Sequence, residues 1–404
     1  MEDSKKEINF SSFIIFLFFL FFPFGVILRF RTSLLGIPIS FHPIDFTIGM
    51  GVLYFLAKGG LKKIDKKIFV FFYVCFFSLI LSLNKFTFLE ILPGFLYFIR
   101  FFCYFMFLFF LYNYSSKNEA RKNLILDSLL IISFISSLFG WIQYFIYPDL
   151  RSLKYVGWDD HLYRLVGSFL DPIFLGLILV FGTLISLFKY QTKKNATFFF
   201  LFSYFLLTTT FTYSRASYLA LITGLITFLF SKKNFLKFLR PVVLSLLIFA
   251  LSFLFLPKHE GEGVRLERTS SIFARISSYQ EVINIFSKYP LFGVGFNNIC
   301  KYRLNYSDKS NQLIFSNACY GADSSFLLIL ATSGVVGFIS FFSTILLIFR
   351  KSLFNKNKLL FFATTFALLI HTQLANSLFY SWVLGFYIGI FVTSLKELKV
   401  HNEE

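Results

Sequence analysis

An all-α integral membrane protein of about twelve transmembrane helices is the fold class this sequence predicts. Of its 404 residues, 56% are hydrophobic and only 15% charged, where a soluble domain carries roughly a quarter charged residues. The mean hydropathy is +0.70. Apolar runs of helix-spanning length recur from Ser12 to Leu395 without an internal repeat or a soluble linker domain. Residues 1–404 therefore read as one polytopic membrane domain, and a soluble enzyme is excluded.

The first run, 12–28, follows Met1–Asn9 and lacks a small-residue cleavage site. It is expected to be a retained helix rather than a removed signal peptide. Further spans are predicted at 40–57, 68–83, 94–112, 124–146, 173–188, 196–211, 216–230, 240–256, 325–349, 359–377 and 380–395. Several fall short of the roughly 20 residues a straight span requires, so kinks, thinning or interfacial extension must supply the difference.

Lys and Arg number 39 against 21 Asp and Glu, a net charge of +18. On a soluble protein such an excess suggests nucleic acid. Here the cations sit between apolar runs, so topology explains them and no nucleic-acid partner is expected. With the N-terminus inside, the clusters Lys58, Lys62, Lys63, Lys66 and Lys67, then Lys117, Arg121 and Lys122, then Lys189, Lys193 and Lys194 all fall in the cytoplasm. So do Lys232, Lys233 and Lys237, then Arg350, Lys351, Lys356 and Lys358, and the tail's Lys396 and Lys399. The opposite short connections hold only Arg29, Arg31, Lys85 and Arg215. Cationic loops stay inside, so both termini are predicted to be cytoplasmic.

Two outer connections are long, Tyr147 to Pro172 and the loop 257–323 between spans nine and ten. Within the second, Ile272, Ile276, Tyr279, Ile283 and Phe286 recur at helical spacing and stop before Pro290 and the Gly293-Val294-Gly295 turn. That pattern predicts an amphipathic helix over the outer mouth of the bundle. Cys75 and Cys103 fall inside spans and read as apolar fillers. Cys300 and Cys319 share the outer loop, where an oxidising compartment permits a disulfide worth about 3 kcal/mol. No Cys/His pattern has metal-site spacing, no phosphate-cradling Gly loop is present, and the five His are scattered.

The chemistry must come from charges at the outer face. Arg215 follows Thr212-Tyr213-Ser214 and opens a span, which sets a guanidinium beside the free amides of a helix N-terminus and suits an anion. It also reads as an interfacial Arg snorkelling to headgroups. Arg275 lies on the polar side of the amphipathic helix, as a second anion contact or an ordinary solvated residue. Arg265 and Arg268 precede that helix and Arg164 precedes the sixth span. Each is a binding candidate, or a partner for Glu262, Glu267 or Asp160. Arg100, inside the fourth span, is a functional candidate because charge there is costly, with Glu90 or a substrate phosphate as its partner. Asp323 stands at re-entry into the membrane as a general base or a helix N-cap. Asp171 carries the same ambiguity, with capping favoured.

Over 164–348 the chain resembles the O-antigen ligase and O-antigen polymerase superfamily of bacterial envelope glycosyltransferases. The resemblance rests on Arg164-Leu165-Val166-Gly167-Ser168-Phe169 with Asp171-Pro172, then Thr212-Tyr213-Ser214-Arg215-Ala216, similar to the family's T-x-S-R element. Arg275 with Tyr279 follows, then Pro290-Leu291-Phe292-Gly293-Val294-Gly295, similar to its P-x-x-G-x-G segment, and finally Asp323 to Leu327 and Gly334 to Gly337. The resemblance implies an inner-membrane enzyme that takes a glycan from undecaprenyl diphosphate on the periplasmic face and transfers it to a sugar hydroxyl, without metal or cofactor. Its acceptor would be another glycan or a lipid A-core. Membrane lipids surround it, and a regulator of chain length is a further partner that such enzymes take. Carried over, Arg215 and Arg275 would hold the diphosphate and Asp323 would act beside them, with Arg164, Arg100, Arg265, Arg268 and Tyr279 lining the substrate site. Ligases usually have His where this chain has Asp323, which favours a polymerase over a ligase. The rival reading is a twelve-span transporter or lipid-linked glycan flippase, but mid-membrane acids are scarce apart from Asp127, and the long loop breaks a six-plus-six symmetry.

Overall fold

The computed structural model describes residues 2–35, 37–230, 235–254, 256–257, 262–306, 319 and 321–399. The predicted cytoplasmic cations Lys232 and Lys233 lie outside them. The chain is mostly helical: α1 (Glu2–Phe21), α2 (Pro43–Ala57), α3 (Val70–Ser82), α4 (Phe88–Ser115), α5 (Glu119–Ile146), α6 (Pro172–Lys193) and α7 (Ala196–Thr210). Then come α8 (Arg215–Thr227), α9 (Phe235–Ser252), α10 (Ser270–Lys288), α11 (Ile299–Tyr306), α12 (Ser325–Arg350), α13 (Lys358–His371) and α14 (Ser381–Ser394). A helix lies at each predicted span. Among the described residues four, α4, α5, α6 and α12, are long and apolar enough to cross a membrane alone. The shortest helices at predicted spans, α3 and α8, have 13 residues each, roughly 20 Å of helix.

Besides the helices there are two short antiparallel strand pairs, the hairpin β1 (Phe30–Leu34) with β2 (Ile37–Phe41), and the long-range pair β3 (Ser352–Phe354) with β4 (Leu395–Leu398). Backbone outside the helices needs hydrogen-bond partners, and these connections find them in each other. The second pair joins the segment after α12 to the segment after α14.

The connections between helices gather at two ends of the bundle. At one end Lys351 pairs with Asp65 at 2.6 Å, Lys122 donates to the Leu395 carbonyl at 2.9 Å, and β3 lies on β4. At the other, Ser168 Oγ donates to the Pro23 carbonyl at 2.5 Å and the Tyr97 hydroxyl donates to the Phe379 carbonyl. Tyr279 of α10 donates to the Gln373 carbonyl at that same end.

At the centre stands α6, buried at nearly every position from Leu175 to Leu187 and packed on α5, α7, α8 and α13. A helix apolar on all sides belongs inside a bundle. A smaller core joins α3 and α12 to the segment 294–299 through Phe71, Val294, Phe296, Leu328 and Phe341. There α12 is broken: Gly334 has φ 68° and ψ −170°. Into the break fits 290–295. Val335 N donates to the Pro290 carbonyl at 2.8 Å, Val294 N to Ala331 at 2.9 Å and Gly295 N to Thr332 at 3.1 Å. Non-helical backbone at membrane depth is tolerated when protein surrounds it and satisfies it. Gly293, at φ 69°, would set a Cβ 2.4 Å from the Thr332 carbonyl carbon. The glycine segments singled out in the sequence are thus one structural joint.

Candidate active site

The joint carries α10 across the open end of the bundle. Its range, Ser270–Lys288, agrees with the predicted amphipathic helix. Val282 and Ile285 are buried against α12, whereas Ile272, Ile276 and Ile283 are 44%, 46% and 48% exposed. An apolar face turned away from protein at this level is one that lipid covers. Arg303 fixes the returning chain, bonding Glu281 of α10 at 2.9 Å and the carbonyls of Cys319 and Gly321 at 2.8 Å. Cys300 and Cys319, whose pairing the sequence permits, form a disulfide.

Facing α10 is the turn from α7 into α8. Tyr213 adopts φ 49°, a left-handed conformation costly for a bulky residue, and its hydroxyl donates to the Pro257 carbonyl at 2.8 Å. Ser214 caps α8 by accepting from Ser217 N. Three arginines hold this turn. Arg164, 7% exposed, donates to the carbonyls of Thr212 at 3.0 Å and Tyr213 at 3.3 Å. Arg268 reaches the Tyr213 carbonyl at 3.4 Å and those of Gly263 and Arg265 at 2.7 and 2.8 Å. Arg215 donates to the carbonyls of Leu266 at 3.4 Å and Arg268 at 3.1 Å, and to the Ser271 hydroxyl. Arg164 and Arg268 thus bond backbone carbonyls, because peptide carbonyls at a turn in low dielectric need donors.

Arg275 is the charged neighbour of Arg215, and it donates no hydrogen bond to a described residue. Across from it lies Asp323. The capping alternative for Asp323 is corrected, because Ser324 caps α12, accepting from Leu327 N at 3.5 Å. The Asp323 carboxylate accepts from Ser278 of α10, one turn beyond Arg275. Burial raises its pKa above the usual carboxylate range, against the pull of Arg275 and Ser278. Tyr279 links both sides, its hydroxyl lying 3.5 Å from the Asp323 carbonyl while donating to Gln373. Arg265 is exposed at the rim.

Asp171 does cap α6, accepting from Ile173 N at 2.7 Å. Burial pushes its pKa up to about 6, and the like charge of Asp159 adds to the rise while Arg164 opposes it. His161 joins this group unpredicted. Burial, with Arg164 and Arg268 nearby, lowers its pKa to about 3, so it stays neutral. Its signal was present in Trp158-Asp159-Asp160-His161, a polar run just ahead of Arg164, which scattered histidines had obscured. Fully buried His371, near Arg275, bonds Ser377 at 2.6 Å. Among the described residues no group of three or more His, Cys, Asp and Glu is arranged to hold a metal.

Arg100 stands apart from this group. Its partner is Asp45, at 2.6 Å, not Glu90. Glu90 closes a capping box with Thr87 at the start of α4, and ten residues of helix, roughly 15 Å, separate it from Arg100. Because α4 begins six residues earlier than predicted, at Phe88 rather than 94, Arg100 is interior to it.

Residues 198–342 match the family model described as O-Antigen ligase. No curated protein matches the chain. The matched stretch runs from α7 to α12 and includes Arg215, Arg275, Tyr279, Asp323 and the glycine joint, while Arg100, Arg164 and Asp171 precede it. It bears out, over those residues, the resemblance to O-antigen ligases read from the sequence, and the four long apolar helices are those of a multi-pass membrane protein.

Proposed function

We propose that this chain is a polymerase of the O-antigen ligase and polymerase superfamily, a twelve-span inner-membrane protein with cytoplasmic termini that extends an undecaprenyl-diphosphate-linked glycan at the periplasmic face. Arg275, with the remaining donor capacity of Arg215, holds the donor diphosphate. Asp323 takes the proton from the acceptor sugar hydroxyl as its oxygen bonds the donor's anomeric carbon. The bond from that carbon to the diphosphate breaks, and undecaprenyl diphosphate leaves with the electron pair. Negative charge grows on the leaving group through the step, so guanidinium contacts strengthen towards the transition state. Arg164, Arg268 and Tyr279 position the turn and α10, and Arg265 lines the entrance.

The observation that carries this reading is a carboxylate released from capping, with raised pKa, next to an arginine without a hydrogen-bond partner among the described residues. Raised basicity and a neighbouring anion site are what proton abstraction beside a diphosphate requires. The test supplies purified protein with lipid-linked glycan. Longer lipid-linked products are expected, with turnover lost on Asp323→Asn, and near-normal turnover of that variant would remove the base. Lipopolysaccharide of a deletion strain should retain a single repeat on the lipid core. Loss of all attached glycan would identify a ligase instead.

A further inference from the structure

A second cationic cluster stands at the same end of the bundle, outside the matched stretch. Ser40 of the β1–β2 hairpin is gripped from two sides, its hydroxyl by Arg29 at 2.9 Å and its carbonyl by Arg100 at 2.9 Å. Arg31 pairs with Ser40 across the hairpin. The carboxylate here is Asp45, and it is already occupied: Arg100 donates to it at 2.6 Å, Tyr104 at 3.1 Å and the His42 amide at 2.9 Å. Arg29 and Arg31 have no ion-pair partner among the described residues, and Arg29 Nε is buried without a hydrogen-bond acceptor. Burial and the like charges of Arg31 and Arg100 depress the Arg29 pKa.

Like charges gathered in a partly buried place, with an unmet donor, are costly unless an anion completes them. The cluster is joined to the Arg275 site by one connection, 371–382. Gln373 at its start accepts from Tyr279, the Phe379 carbonyl accepts from Tyr97 of α4, and Trp382 packs edge-on to His42 at 4.5 Å. On this connection Tyr380 stacks on Phe174 at 3.7 Å, and Trp382, 3% exposed, keeps its Nε1 unbonded among the described residues.

We propose that Arg29, Arg31 and Arg100 form a second anion site, which takes the diphosphate of the lipid-linked acceptor while Arg275 takes that of the donor. The proposal rests on the polymerase reading, in which both substrates carry a lipid diphosphate to the same interface. A transferase acting on a phosphate-free acceptor needs one such site.

The test titrates inorganic diphosphate into full-length protein in phosphatidylcholine nanodiscs by calorimetry. Two sites are expected. Arg29→Ala combined with Arg31→Ala should weaken one at least tenfold, a loss of 1.4 kcal/mol, while Arg29→Lys combined with Arg31→Lys retains it. Arg275→Ala should weaken only the other. One site in the wild type, or two unchanged in the Arg29/Arg31 double alanine variant, overturns the second site. Loss of that site when phosphatidylglycerol replaces phosphatidylcholine identifies an ordinary headgroup site and overturns the acceptor assignment. Two sites insensitive to Arg275→Ala would overturn the donor assignment without touching this one.

Discussion

Gly334→Ala asks whether the break in α12 is required. At φ 68° and ψ −170° the residue occupies a region essentially confined to glycine, and an alanine there costs about 1–3 kcal/mol in backbone strain. Its Cβ would also lie 2.1 Å from the Leu291 carbonyl oxygen and 2.2 Å from the carbon. Backbone atoms cannot swing aside as a side-chain tip can, so the 290–295 segment must retreat. Retreat lengthens the bonds from Val335 N to Pro290 and from Val336 N to Leu291, now 2.8 and 3.2 Å, at about 1 kcal/mol each. The sum is about 3–5 kcal/mol, or a fall in melting temperature on the order of 5–10 °C. The assay is thermal unfolding of detergent-purified protein followed by circular dichroism, with glycan transfer measured below the transition. Gly49→Ala in α2, where an added Cβ meets nothing within 4 Å, is the matched control and should be neutral or stabilising. Because α10 ends at this joint, Gly334→Ala should also lose transfer activity while still folded. A Gly334→Ala protein melting with the control and turning over normally would refute the joint as the support of Arg275.

Arg164→Ala removes two bonds to the 212–213 turn from a buried position, so about 2–4 kcal/mol of stability should be lost along with activity. Arg275→Ala should abolish transfer with the melting temperature unchanged, and unfolding beside transfer assays separates the two. Asp171→Asn tests the raised carboxyl. With a folded pKa of about 6 above the unfolded value, stability should fall as pH rises from about 4 to 6 and then level off, by up to about 3 kcal/mol. The Asn variant still caps α6 and should flatten that slope in unfolding measured across pH 4–7. Reduction of Cys300–Cys319, 19 residues apart, should cost about 3 kcal/mol, read as a lower melting temperature in dithiothreitol, and intact protein should show no free thiol at either position by mass spectrometry.

The helices were legible because long apolar runs in this composition have few alternatives, and the cations between them marked the ends. The glycine segments 290–295 and 334–337 were legible as motifs but not as partners, since nothing local says that a turn will dock into a helix broken some 40 residues later. Partner choice failed for the same reason at Arg100. Sequence proximity suggested Glu90, but a helix carries its first-turn acid away, and Asp45 arrives from another span. Asp323 and Ser324 are adjacent, and only backbone geometry shows that the cap is Ser324.

The arginines illustrate a further limit. Sequence places Arg164, Arg215, Arg265, Arg268 and Arg275 at one interface without showing which of them backbone carbonyls will claim. Folding divides them by what else needs a donor. The turn ending α7 and the loop leading into α10 expose peptide carbonyls where water is scarce, and Arg164, Arg268 and part of Arg215 meet that need. Once those bonds form, moving one of these guanidinia to a ligand would strand a carbonyl at a cost of about 1–3 kcal/mol. Arg275 faces no such penalty, because on α10 the backbone is already paired within the helix. An anion entering the mouth therefore meets Arg275, able to turn towards it, and Arg164 and Arg268, which hold the surface rigid around it. Such a division favours transition-state binding, since donors fixed before the charge develops need no reorganisation when it does.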